Sequence, residues 1–445
     1  MHIDFSSAKF VVVGVGSTGL SIVNYLNFHQ ANILRVLDTR VNPPALAGYS
    51  VIGGPLEFSL VKDCDIIVIS PGVSIYEPVL QLALRNNIQV IGDIELFAHA
   101  INNWGSKVIG ITGSNGKTTV TSLTGFLAES AGIKTLVAGN IGTPVLEAWL
   151  EINASGNYPE LIVLELSSFQ LETTSNLHLA SATVLNISED HLDRYRDLLE
   201  YAYAKANIFN NCQVQILNHD DPLVVAMARN TCSHLWFGLH VGEYTLSENS
   251  GNWELQHKGN TIIAASQLQL VGRHNYLNVL ASLALLDGAG YSYQLFSHAL
   301  AKFAGLEHRM QKVAEFNRIL YIEDSKGTNV GAVIAGVSGI ERPVHLILGG
   351  DGKGQDFAPL RALVIAKCKS VAIIGQDALL IQQVLAGIDG VAIYPTLEAA
   401  VAAAKVQAKP GDAVVLSPAC ASWDMFTNYK HRAQVFIDTV YALHQ

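Results

Sequence analysis

A chain of 445 residues, 49% hydrophobic and 15% charged, is long enough for two to four domains and too apolar for extended disorder. Its net charge of −10 excludes a dedicated nucleic-acid binder, which needs a basic face, while leaving room for local cationic sites that take small phosphorylated ligands. Five scattered cysteines without a Cys-x-x-Cys pair give neither a disulfide framework nor a zinc site. The start has no basic-then-apolar leader and no uncharged run is long enough to span a bilayer, so free buried thiols and a cytoplasmic protein without membrane insertion are expected.

Residues 10–15 form a continuous apolar run, and Gly14, Gly16 and Gly19 make a GxGxxG turn opening a helix that carries Leu20, Val23 and Leu26. A second strand pattern at 33–37 ends at Asp38, followed by Thr39 and Arg40. Strand, turn, helix, strand and acid together predict a nucleotide or nucleotide-sugar site rather than packing glycines alone. Arg40 beside the acid favours a phosphate-bearing ligand over NAD. Further buried strands at 65–70 and 89–92 end in Ser70, Pro71 and Gly72 and at Asp93, the edge that faces the crevice of an open parallel sheet. Residues 1–97 are therefore expected to form a Rossmann-like domain.

The second domain, 98–305, opens on Val108, Ile109 and Ile111, then Thr112, Gly113, Ser114, Asn115, Gly116, Lys117, Thr118 and Thr119, then helical spacing through Val120, Leu123 and Leu127. Glycines at a strand-to-helix turn let backbone N–H groups and the helix N-terminus converge on one anion. Lys117 adds charge for the β- and γ-phosphates, and the Thr118 hydroxyl suits Mg²⁺. Ile111 stands where the strict Walker pattern has glycine. A strand at 161–164 delivers Glu165, either a carboxylate that reaches Mg²⁺ from the side opposite Thr118 or a helix cap. The next strand, 182–187, exits through Glu189, Asp190 and His191, a histidine that by itself could equally be a surface residue. Lys205 lies on an apolar, aromatic helical stretch from which its amine could snorkel outward. Asn275 and Asn278, three apart, share a helix face and could present amides to a base or phosphate.

The pattern restarts near Gly305, an expected hinge element, and a third domain, 306–445, repeats the alternation of strand and helix. Its strand ends are again polar or glycine-rich, notably Asp324, Ser325, Lys326, Gly327, Thr328 and Asn329, then Gly349 to Lys353, then Ser417 to Ser422. The expected fold is α/β in three domains: an N-terminal Rossmann-like sheet, a central P-loop ATPase-like domain with a mostly parallel sheet, and a C-terminal Rossmann-like domain.

These motifs, in this order, resemble the Mur ligases, the ATP-dependent amide-forming enzymes of peptidoglycan precursor assembly. The resemblance rests on Thr112 to Thr118, Glu165 with Ser167, Ser168 and Phe169, Glu189-Asp190-His191, Lys205, His274-Asn275 with Asn278, and His308-Arg309, and it spans essentially the whole chain. The polar strand ends of the third domain look like those of the D-glutamate-adding members, and the Asp-Asn-Pro-Arg segment of diaminopimelate-adding members is absent.

The resemblance implies that Gly16, Ser17, Asp38, Thr39, Arg40, Ser70, Pro71 and Gly72 hold the uridine diphosphate end of UDP-N-acetylmuramoyl-L-alanine, with Asn140 and His191 at its alanine carboxylate. Gly113, Ser114, Asn115, Gly116, Lys117, Thr118, Thr119, Asn275, Asn278, Arg309 and Asp324 would surround ATP. Thr118 and Glu165 would bind one Mg²⁺, and His191 with Lys205 a second, Lys205 being carbamylated. Lys117, His191 and Lys205 would be the catalytic group, and Lys326, Thr328, Lys353, Ser422, Trp423 and Tyr429 would receive D-glutamate. Tyr429 and Trp423 stand where phenylalanine and leucine are expected, so pocket shape is the part the resemblance leaves open. A monomer is expected. The competing classes are a relative with another acceptor (L-alanine-adding or folate-glutamylating), an inactive nucleotide-binding regulator, and a nicotinamide-dependent oxidoreductase, which would leave the phosphate loop unused.

Overall fold

The computed structural model describes residues 3–190, 194–249, 252–270 and 272–444. Its strands gather into three sheets along the chain. The first has five parallel strands in the spatial order Val51–Gly53, Asn32–Asp38, Lys9–Val13, Ile66–Ile69 and Gln89–Gly92. Phe10, Val11, Val12 and Val13 are fully buried, as strands covered by helices on both faces must be.

The second sheet has nine strands. Seven run parallel in the order Thr135–Gly139, Leu161–Glu165, Lys107–Thr112, Leu179–Val184, Cys212–Asn218, Ser233–Gly238 and Tyr244–Asn249. Asn252–His257 and Asn260–Ala264 extend that edge as an antiparallel meander. The third sheet has six strands, Gln311–Phe316 pairing antiparallel with Ile319–Glu323 and the other four running parallel.

Packing distinguishes these units. One hydrophobic cluster runs from Phe10, Val12 and Tyr25 through Phe97 and Trp149 to Leu164 and Phe209, so the first sheet and one face of the second share a core. The Tyr25 and Trp149 rings meet edge-on at 5.0 Å. The opposite face of the second sheet is covered by the helices Lys117–Ser130 and Arg273–Gly288. The third sheet fills both of its faces with side chains from its own segment. All five cysteines are free, three buried and two half-buried.

Candidate active site

The phosphate loop follows from three adjacent strands ending level with one another. Ile111 pairs with Glu165 on one side and Thr112 with Val184 on the other, which sets the Glu165 carboxylate beside the turn into the helix Lys117–Ser130. That turn depends on Gly116, whose φ of 84° is left-handed and whose Cβ, if present, would stand 2.8 Å from Asn278 Oδ1. A polar scaffold from the neighbouring strand exit holds the loop. Ser114 N–H donates to the Asn186 carbonyl (2.9 Å), Asn115 N–H to Asn186 Oδ1 (2.8 Å), and Ser188 N–H to Ser114 Oγ (2.9 Å). Lys117 Nζ donates to the carbonyls of Gly113 and Ser114 at 2.6 and 2.8 Å. Burial holds its ammonium below the ordinary lysine value.

Glu165 is buried. Its Oε1 accepts from Asn140 Nδ2 at 3.0 Å, while Oε2 has no hydrogen-bond partner among the described residues. It does not cap the following helix: Ser167 does, in a capping box with Gln170. Lys205 does not snorkel. It is only 1% exposed, with Nζ 4.5 Å over the Tyr201 ring and 3.4 Å from Thr112 Oγ1. Burial, reinforced by the Lys117 charge, holds its pKa well below that of a free lysine.

The third unit reaches this loop through a strained turn. His308 and Met310 both have left-handed φ values, 64° and 46°, and the turn is tied down by two acids at the end of Ile319–Glu323. His308 Nδ1 lies 2.9 Å from Glu323 Oε2, and Met310 N–H donates to Asp324 Oδ1 at 3.1 Å. Between them, Arg309 Nη2 donates to Thr118 Oγ1 at 2.9 Å. Asn329 Nδ2 adds a contact of 3.3 Å to Asn115 Oδ1. Asp324 is thus a support of the Arg309 turn. Burial raises its carboxyl to about 7, opposed by the Ser417 hydroxyl that donates to it at 2.6 Å.

A cleft of about 720 Å³ lies where these parts meet. Ser114, Asn115, Gly116, Lys117, Thr118, Asn140, Glu165, Arg309, Lys326, Thr328 and Tyr429 line it, and so do Asp190 and Lys430, which sequence reasoning did not single out as site residues. Lys326 Nζ sits 4.1 Å over the Tyr429 ring, and burial lowers its pKa. Four cations facing one cleft suit phosphates and carboxylates.

A second cleft of about 550 Å³ is lined by Gly16, Ser17, Asp38, Thr39, Arg40, Ser70, Pro71 and Gly72, the residues assigned above to the uridine diphosphate end, and by Asn140, assigned to the alanine carboxylate. Asn140, Ile141 and Gly142 belong to both clefts, so a ligand in one can extend into the other. Asp38 is saturated by Val15 N–H and by Arg40, whose Nε and Nη2 donate to it at 2.8 and 2.7 Å. Arg40 chiefly, against burial, holds this carboxylate below the usual range. Asp38 therefore aims an arginine and does not offer a free acceptor to a ribose.

A third cavity of about 280 Å³ adjoins the phosphate loop at Asn115 and Gly116, between Leu185, Phe237 and Leu277, with Asn278 on its wall. It has the apolar walls and amide edge that a nucleobase takes. Asn275 is buried and accepts from Asn278 Nδ2 at 3.3 Å. Gly113 contributes its carbonyl to Lys117, and Thr119 is buried in the first turn of the helix. Lys353, Ser422 and Trp423 lie outside the main cleft's lining: Ser422 is buried, Lys353 and Trp423 are exposed. His191 lies outside the described residues.

Residues passed over in the sequence also matter. Gln170 lines the second cleft. Arg194 stacks 3.7 Å over Phe169 and donates to the carbonyls of Pro71 (3.0 Å) and Val73 (3.2 Å), which joins it to the second cleft's wall. Asn186 and Ser188 belong to a polar strand exit, the one signal that could have marked them.

The donor set fits Mg²⁺ bound together with phosphates. Glu165 offers an unpartnered buried oxygen and Thr118 a hydroxyl on the phosphate-loop helix, both hard oxygen ligands. Among the described residues, no three His, Cys, Asp or Glu side chains gather as a metal cluster.

Comparison with known proteins places the chain. Family models described as the Mur ligase MurD-like N-terminal domain, the Mur ligase middle domain and the Mur ligase glutamate ligase domain match residues 8–92, 111–286 and 308–420. The chain is 49% identical over 450 residues to UDP-N-acetylmuramoylalanine–D-glutamate ligase of Chromobacterium violaceum, covering 99% of both chains. It is 46% identical to the enzyme of that name from Nitrosomonas europaea, over 98% of this chain and 97% of the relative. Among solved structures, MurF of Acinetobacter baumannii superposes with a TM-score of 0.64 at 18% identity, over 98% of this chain and 92% of that one, a likeness of fold. Full-length identity of this order joins the phosphate loop, the carboxylate beside it and the three sheets in one conclusion: the chain belongs to the Mur ligase family.

Proposed function

We propose that this protein is an ATP-dependent ligase that joins D-glutamate to UDP-N-acetylmuramoyl-L-alanine, with release of ADP and phosphate, in peptidoglycan precursor synthesis. The observation that carries the mechanism is the meeting of two clefts at Asn140, Ile141 and Gly142. One suits a nucleotide sugar and the other is built around a phosphate loop. Relatives 49% and 46% identical carry the name of the D-glutamate-adding enzyme, which favours that acceptor.

In this reading Arg40, aimed by Asp38, and Ser17 hold the uridine diphosphate, and the peptide end runs past Asn140 toward Lys117. ATP lies along Ser114 to Thr119, with its base in the cavity bounded by Phe237 and Asn278 and with Arg309 at its phosphates. Thr118 and Glu165 would hold Mg²⁺, which would neutralise phosphate charge, and His191 with Lys205 would hold a second ion. The alanine carboxylate attacks the γ-phosphorus, breaking its bond to the ADP oxygen and giving an acyl phosphate. Lys117 and the loop amides stabilise the charge that develops. The amine of D-glutamate, held by Lys326, Thr328 and Tyr429, then attacks the acyl carbon and displaces phosphate. Lys353, Ser422 and Trp423 join that acceptor site as the third domain closes.

We further propose that the reaction is cytoplasmic, that the enzyme is monomeric, that its domains divide at residues 97 and 305, and that Lys205 carries a carbamate, as its buried, deprotonation-prone amine favours. The described chain has no helix long and apolar enough to cross a membrane. Phosphate release from Mg-ATP and UDP-N-acetylmuramoyl-L-alanine is expected with D-glutamate and at background with L-glutamate, glycine or L-lysine. Release with another acceptor would overturn the glutamate assignment. No release with any of them would favour an inactive nucleotide-binding protein.

A further inference from the structure

The helix Asp93–Ile101 begins at the end of the last strand of the first sheet and carries two buried carboxylates in its first turn, Asp93 and Glu95. Both face the segment 168–176 of the central unit. Glu95 is fully used there, accepting from Ser175 N–H, Asn176 N–H and Asn176 Nδ2, and that is enough to clamp the segment in place. Asp93 makes one contact to it: Oδ2 accepts from Gln170 Nε2 at 3.2 Å, and Oδ1 has no hydrogen-bond partner among the described residues. A buried carboxylate with an orphaned oxygen contributes little as a clamp, while its side-chain partner among the described residues, Gln170, lines the nucleotide-sugar cleft.

The orientation of the Gln170 amide is determined. Its Oε1 accepts from Ser167 N–H at 3.1 Å, a group that can only donate, so oxygen and nitrogen cannot exchange places. Nε2 then carries two N–H groups, and Asp93 takes one. No acceptor among the described residues takes the other, and Gln170 lines the nucleotide-sugar cleft. Packing permits no slack here, since a Cβ on Gly92 would stand 2.5 Å from Thr173 Oγ1.

We infer that Asp93 is a positioning residue for the nucleotide-sugar substrate: it fixes the Gln170 amide so that the remaining N–H meets an acceptor oxygen of the bound diphosphate-sugar. The ligand identity rests on the function proposed above; the coupling of Asp93 to Gln170 across the two units is independent of it.

The test is a double-mutant cycle read as binding of UDP-N-acetylmuramoyl-L-alanine and as KM for each substrate. Asp93→Ala should weaken nucleotide-sugar binding and raise its KM by about tenfold, the size of one lost charge-assisted hydrogen bond, with the KM for ATP unchanged. In a Gln170→Ala background the same change should have no further effect. Should Asp93→Ala fail to fold, Asp93→Asn keeps an acceptor without the charge. It should raise the KM about threefold in the native background and not at all beside Gln170→Ala. Additive effects, or equal shifts for ATP and nucleotide sugar, would overturn the inference and make Asp93 a purely structural acid. If the unsubstituted protein failed to bind the nucleotide sugar, the functional reading would fall instead.

Discussion

Single side chains in this protein have roles set by what surrounds them. Asp38 ends its strand in the manner of a dinucleotide site, yet the acid spends both oxygens on Val15 and on Arg40 two positions on, so the cation is the group presented to a ligand. Lys205 is the sharper case. A fully buried ammonium with no carboxylate bonded to it among the described residues is costly, and burial together with Lys117 favours the neutral amine. A neutral amine is the form that adds CO₂, with loss of one proton, to give a carbamate. Protein equilibrated with ¹³C-labelled bicarbonate should show a carbamate carbon resonance that is missing from the Lys205→Arg variant. An identical spectrum for the two would remove the proposed modification.

At the level of elements, the site is a consequence of strand ends held level. Gly139 ends the strand Thr135–Gly139 opposite Glu165, with φ of 109° and the Glu165 carbonyl oxygen where a Cβ would stand, at 2.2 Å. The next residue, Asn140, bonds Glu165 through both N–H (2.8 Å) and Nδ2 (3.0 Å). Gly139→Ala should therefore act in two ways. The backbone strain alone should lower stability by about 1–3 kcal/mol, read as a lower denaturant midpoint. Displacement of Glu165 and Asn140 should depress kcat in the fraction that folds. An unchanged midpoint would mean that the strand end moves without penalty.

Across the whole molecule, the three sheets are joined unequally. The first two share a hydrophobic core, whereas the third packs both faces with its own residues and meets the phosphate loop through polar contacts such as Arg309 to Thr118 and Asn329 to Asn115. Small polar contacts between units permit relative motion. An acyl phosphate must also be kept from water. Small-angle scattering should show a smaller radius of gyration when an ATP analogue and the nucleotide sugar are added together. No change would argue that the third unit is already seated in solution.

What the sequence by itself determined was local in origin. Apolar runs ending in glycine and polar residues marked the strand ends, and Gly116, Lys117 and Thr118 at a strand-to-helix turn marked the phosphate loop, because each pattern is written within a few neighbouring residues. The antiparallel meander 244–264 and the hairpin at Gln311–Phe316 were not legible, since edge strands carry weak alternation and their pairing is set by the sheet they join. Only the tertiary structure decided that Lys205 is buried, that Asp324 supports the Arg309 turn, and that Asp93 meets Gln170 across 77 positions. Burial and pairing of charges depend on which distant segments the fold brings together, and no local periodicity encodes that.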